Sequence, residues 1–142
     1  MAATLSSTTP SVAFRKIPVA ALIGGGIGAI VNLIILFATR AIGITTWVVT
    51  PQSPDPVPVP EIAVLMASFM PSIFAGIVYA IMARFLKQPA RIFQIIAVVL
   101  AVLSLGSVIP LPVDSTSKVI LSIMHFVAAG AITWSLTTRT TN

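Results

Sequence analysis

A chain of 142 residues of which 57% are hydrophobic and 8% charged, with mean hydropathy +1.08, carries more apolar surface than one soluble core of this size can hide. Eight Lys and Arg against three Asp and Glu give a net charge of +5, but no basic cluster is interleaved with exposed aromatics, so the composition argues against a nucleic-acid partner. Cysteine is absent, which removes disulfides, thiolate chemistry and Cys-ligated metals together.

Taken in chain order, residues 1–14 are rich in Ser, Thr and Ala without helical periodicity and read as a flexible cytoplasmic tail. Residues 15–139 form one domain, and 140–142 a second short tail. Within the domain, uncharged apolar runs cover Ile17 to Thr39, Ile62 to Ala83, Ile92 to Val113 and Val119 to Thr138, the third losing its end near residue 110 to Pro110 and Pro112. About 20 apolar residues cross a hydrocarbon core of ~30 Å. Backbone polar groups in lipid need internal partners, so each run predicts a helix, and the fold class is an all-α membrane protein, a four-transmembrane-helix bundle. The first run exceeds the ~7–15 residues of a secretory h-region and lacks a small-x-small cleavage site, so it reads as a retained anchor.

Between the first two spans lies the one sizeable outer loop. Ile44 to Val49 is apolar enough to lie on the interface with Trp47 as its anchor. Pro51 to Pro60 carries proline at almost every second position and predicts an extended, polyproline-like connector. Arg15, Lys16, Arg84, Lys87, Arg91 and Arg139 fall on one side of the bundle, Arg40 and Lys118 on the other with Asp55, Glu61 and Asp114. That asymmetry of basic residues predicts both termini inside. Glu61 and Asp114 also stand where helix N-termini favour acids.

Few polar side chains interrupt the spans. Asn32, Ser68, Ser104 and His125, one on each helix, lie roughly 9–12 Å from the outer ends at 1.5 Å per residue and form a candidate intramembrane polar layer. Ala20, Gly24 and Gly28 recur every four residues up to Asn32, a small-residue stripe for close helix packing. Leu36 is expected to matter less to that packing than Gly28. Pro71 frees the carbonyl of Ala67 and predicts a kink in the second helix. His125 is the sole histidine; it reads first as a neutral imidazole bonded across helices, with Asn32 as the expected partner, and otherwise as a relay, a polar binding site or a tetrapyrrole ligand. All three acids lie in or beside the outer loops, so no catalytic or metal-binding constellation is legible, and no cofactor is expected.

The first span ending Ala38-Thr39-Arg40-Ala41-Ile42-Gly43, the Pro60-Glu61-Ile62 start of the second with Pro71 inside it, and the basic loop from Arg84-Phe85 to Pro89-Ala90-Arg91 form a pattern. Asp114 and the run Leu121-Ser-Ile-Met124-His125-Phe126-Val127-Ala128-Ala129 complete it. On these residues the chain, from about Arg15 to Arg139, resembles a family of uncharacterised bacterial four-helix membrane proteins, a domain of unknown function. The resemblance implies a bacterial inner-membrane protein and supplies no reaction, substrate or cofactor. The leading functional expectation is a scaffold or accessory subunit acting through helix packing, with the lipid bilayer and a second copy or another membrane protein as partners. The alternative is a carrier or pore for a small uncharged or apolar molecule, using the layer around Asn32 and His125; the third reading is tetrapyrrole binding through His125.

Overall fold

The computed structural model describes residues 12–50 and 53–141. Four helices, α1 (Ile17–Ala41), α2 (Glu61–Phe85), α3 (Pro89–Val108) and α4 (Ser115–Arg139), pack as a bundle, and a hairpin of β1 (Trp47–Thr50) and β2 (Ser53–Pro58) joins α1 to α2. Three of the helices have 25 residues and α3 has 20, or about 37 Å and 30 Å at 1.5 Å per residue. All four are long and apolar enough to cross a membrane. Residues 1–11 of the expected tail lie outside the described residues. The remainder of that segment is held, since Val12 bridges to Thr141 and Ala13 N–H donates to the Thr140 carbonyl at 2.7 Å.

Each helix runs past its apolar stretch into polar turns, for reasons visible at its ends. A single 3-10 turn, Phe14–Lys16, leads into α1 with Pro18 in the first turn, where a missing N–H costs nothing. Its other end closes on Gly43 at φ +81°. Gly43 N–H donates to Arg40 O at 3.0 Å and Ile44 N–H to Thr39 O at 2.9 Å, the paired bonds of a Schellman motif, which needs the left-handed residue that glycine supplies. Pro89 opens α3. Asp114 caps α4 through its side chain, accepting from Ser117 N–H at 2.9 Å and from the Ser117 hydroxyl at 2.6 Å. This cap starts α4 at Ser115, four residues before its apolar run.

The proline-rich connector is not a free polyproline strap, and the chain is not wholly α-helical: β2 pairs antiparallel with β1, Val48 opposite Val57 and Trp47 opposite Pro58. The proline spacing explains why pairing is tolerated. Successive N–H groups of a strand point to opposite edges. Val59 N–H points inward, donating to Thr46 O at 2.9 Å, so Val57 shares its direction, and Pro58 and Pro60 fall where the N–H would face away from β1. Pro54 and Pro56 lie where the register shifts, between the pairs Val48–Val57 and Thr50–Ser53, an irregularity that tolerates proline. Trp47 N–H leaves the sheet and donates to the Ser117 hydroxyl oxygen at 2.9 Å, tying the hairpin to the capped start of α4. At the same end Arg40 bonds both the Glu61 carboxylate and the Val59 carbonyl.

Helix α1 is the centre of the bundle and packs along both α2 and α4, whereas α3 leans on α4 and barely touches α2. Small residues set the approach. A Cβ at Gly24 would lie 2.9 Å from Ile132 Cα and one at Gly28 3.3 Å from Ala128 Cα, both on α4; one at Gly25 would lie 3.0 Å from Ser72 Cβ on α2. Serine hydroxyls close both seams, Ser135 donating to Ala20 O at 2.7 Å and Ser72 to Ala21 O. Two apolar clusters result. Ile17, Tyr79, Phe93, Ile132 and Leu136 fill the end near the termini, with Tyr79 and Phe93 edge-to-face at 5.1 Å. Leu36, Val59, Val64, Val108, Leu121 and Met124 fill the hairpin end. Leu36 is thus fully buried: α1 carries large core side chains above its glycines.

Two outcomes are expected. Gly24→Ala should lower the melting temperature in mild detergent more than Gly28→Ala, because its new methyl meets backbone at 2.9 Å and overpacking costs about 1–3 kcal/mol; Gly106→Ala, with open space around it, should be neutral or slightly stabilising. Equal melting temperatures across the series would contradict the close α1–α4 seam. The second outcome concerns Asp114, whose carboxyl is held below the usual aspartate range, chiefly by the Ser117 hydroxyl and then by the Ser117 N–H. A lowered folded pKa makes its contribution complete above the unfolded value and lost as pH falls through the folded one. Asp114→Asn retains a capping oxygen and should flatten the acid limb of a stability-against-pH curve; an unchanged limb would count against the cap.

Candidate functional site

Since α3 reaches α4 but hardly α2, the bundle leaves a cavity of about 630 Å³ between the two apolar clusters, lined by all four helices and the hairpin. Its wall is mostly apolar, including Val64, Ala67, Pro71 and Phe74 of α2 and Ile96, Ala97, Leu100 and Ala101 of α3. A volume in this range suits a small organic molecule. Three members of the sequence-derived polar layer, Asn32, Ser104 and His125, meet at this one cavity. Ser68 is not among its lining residues; it is fully buried and returns its hydroxyl proton to Val64 O at 2.9 Å.

Asn32 and His125 do not bond to each other directly. Asn32 Nδ2 donates to Met124 O at 3.0 Å, one residue from His125, and His125 Nδ1 lies 2.8 Å from Leu121 O on its own helix. A carbonyl only accepts, so the amide nitrogen of Asn32 is fixed toward α4 and the proton of a neutral His125 sits on Nδ1, leaving Nε2 as an acceptor. Each side chain is engaged instead by a backbone carbonyl of α4. Ser104 behaves likewise, giving its proton to Ala101 O at 2.7 Å. Asn32 is 4% exposed, and its Oδ1 has no protein partner. Among the described residues Thr46 Oγ1 shares that condition, but Thr46 does not line the cavity.

Pro71 also lines the cavity. Helix α2 runs through it as one element, and since proline has no N–H, the carbonyl of Ala67 on the same wall lacks its usual helical donor. Ala20, Gly24 and Gly28 lie elsewhere, sealed in the α1–α4 seam. Among the described residues no group of three or more His, Cys, Asp or Glu is placed to hold a metal ion.

Sequence reasoning named the polar side chains of the layer and passed over the groups that receive their protons. Met124 O and Leu121 O are backbone atoms with no signature in residue type. Ser135 was legible in principle, as a hydroxyl on the α4 face opposite a small-residue stripe.

A family model described as "Family of unknown function (DUF6069)" matches residues 12–142 of the chain. No curated protein and no solved structure matches it.

Proposed function

The chain belongs to the DUF6069 family, and from the geometry of its bundle we propose that it binds a small, uncharged, largely apolar molecule drawn from the bilayer, with carriage across or along the membrane as the use of that binding. The observation that carries this reading is the cavity of about 630 Å³ whose mostly apolar wall includes Asn32, Ser104 and His125. The sparse contact between α2 and α3 supports entry from the lipid side, where such a molecule is already concentrated. A role based on packing alone has less support than the sequence suggested, because the Ala20, Gly24 and Gly28 stripe is consumed inside the chain against α4 and is not free for a partner. Binding is preferred to turnover because Glu61 and Asp114 stand at the hairpin end, away from the cavity lining. A cytoplasmic location for both termini is supported by six basic residues on their side of the bundle against two on the other.

Protein purified in mild detergent should carry an uncharged, apolar small molecule detectable by extraction and mass spectrometry. Ala67→Phe, which adds a ring to an exposed position on the cavity wall, should lose it while keeping the fold. Copurification of a partner protein without any small molecule would favour the packing role, and a Soret or chlorin band would favour a tetrapyrrole on His125. For orientation, cysteine at Ser53 should react with a membrane-impermeant thiol reagent in intact cells and cysteine at Gln88 should not; the reverse pattern would invert the assignment.

A further inference from the structure

We infer that a second groove, between α3 and α4, binds one anionic phospholipid, with an acyl chain lying in the groove and the phosphate held by Arg91 and Arg139. The site is separate from the cavity of the preceding section and does not depend on it.

The groove has a volume of about 370 Å³ and is lined by α3 and α4 alone. Along α4 it runs from Phe126 to Thr138, twelve residues or about 18 Å, close to half of a ~30 Å hydrocarbon core and so to the depth of one leaflet. Small residues keep it open, Ala97 and Ala101 on α3 and Ala129 and Gly130 on α4; a Cβ added at Gly130 would meet no atom within 4 Å. The polar side chains near its terminal end donate within the protein, Gln94 to Thr137 Oγ1 at 3.3 Å, Thr137 to Thr133 O and Thr138 to Trp134 O.

Positive charge is concentrated at that end. The Gln94–Thr137 bond fixes the level of two antiparallel helices there: Arg91 is three residues beyond it on α3 and Arg139 two beyond it on α4, about 4.5 Å and 3 Å along the axes. Both are exposed. Arg91 shares the face of Gln94, one turn away, and the Arg139 guanidinium is held on the groove's own wall, its Cζ 5.0 Å from the centroid of the Trp134 ring. No acidic side chain answers them. Asp55, Glu61 and Asp114 all belong to the hairpin end, where Arg40 pairs with Glu61. Arg91 also stands in the first turn of α3, which contains no acid, so the helix dipole favours an anion where the sequence has placed a cation. A phosphate diester supplies that negative charge and forms charge-assisted bonds with guanidinium groups, while its acyl chain continues into the apolar groove. A choline headgroup would bring its own cation to the same place.

Native mass spectrometry of the full chain in mild detergent, titrated separately with phosphatidylglycerol and phosphatidylcholine of identical acyl chains, tests this. One phosphatidylglycerol should bind about 20- to 30-fold tighter than phosphatidylcholine, at about fivefold for each arginine. Arg91→Gln and Arg139→Gln should each remove about fivefold of the preference. Arg84→Gln, which alters an exposed arginine of α2 at the same end but outside the groove, should leave it intact. Gly130→Leu places its side chain in open space and should weaken both lipids by filling the groove, without lowering the melting temperature. The preference is read on the unaltered chain, so the comparison stands even if a variant does not fold. Equal binding of the two lipids overturns the site. An equal loss of preference in Arg84→Gln also overturns it, as the mark of a diffuse attraction to the basic end, and so does unchanged binding in Gly130→Leu, which would mean headgroup contact with an empty groove.

Discussion

Gly24 and Gly28 let the backbone of α1 approach α4 to van der Waals contact, and Gly25, with Gly76 facing Ala21, does the same against α2. In lipid the tails offer an apolar side chain as much as another helix does, so there is no hydrophobic force to hold such an arrangement; close packing and hydrogen bonds have to supply it. The serine bonds from Ser72 and Ser135 to consecutive carbonyls of α1 depend on that same proximity. With both neighbours drawn onto one helix, α3 has room to pack on α4 only. The gap it leaves toward α2 is the cavity, so a few missing side chains on α1 determine an empty volume on the far side of the bundle.

The four helices were legible because apolar length is a direct consequence of bilayer thickness. Their ends were not, since the polar first turn Ser115 to Lys118 is held helical by the Asp114 cap rather than by hydropathy. The hairpin was hidden for a different reason: proline is read as incompatible with a strand, and only the pairing itself shows that Pro58 turns its missing N–H away from β1 while Pro54 and Pro56 fall at a register shift. Of the candidate site, spacing and depth placed Asn32, Ser104 and His125 at one level, and they do share a cavity. Ser68 sits at similar depth with its hydroxyl turned back on its own helix, a matter of a fraction of a turn that facing arguments do not resolve.

The polar side chains of the spans follow one habit. Asn32, Ser72, Ser104, His125 and Ser135 each turn a donor toward a backbone carbonyl, using the spare lone pair that every helical carbonyl retains. Hydroxyl and amide groups become affordable in lipid this way without a second polar side chain to meet them. The habit has an asymmetry, because backbone N–H groups inside a helix are already committed, so side-chain acceptors find no equivalent supply. Asn32 Oδ1 is where that asymmetry surfaces.

The alternating prolines of β2 bear on crowding as well as on folding. A two-stranded hairpin has open edges, and where copies of one chain are crowded together such edges invite further strands to join. Along β2 three of six residues, Pro54, Pro56 and Pro58, have no amide hydrogen to offer an approaching chain. That edge of the ribbon is therefore a poor template for a further strand, and neighbouring copies can meet along it without a continuous ladder forming.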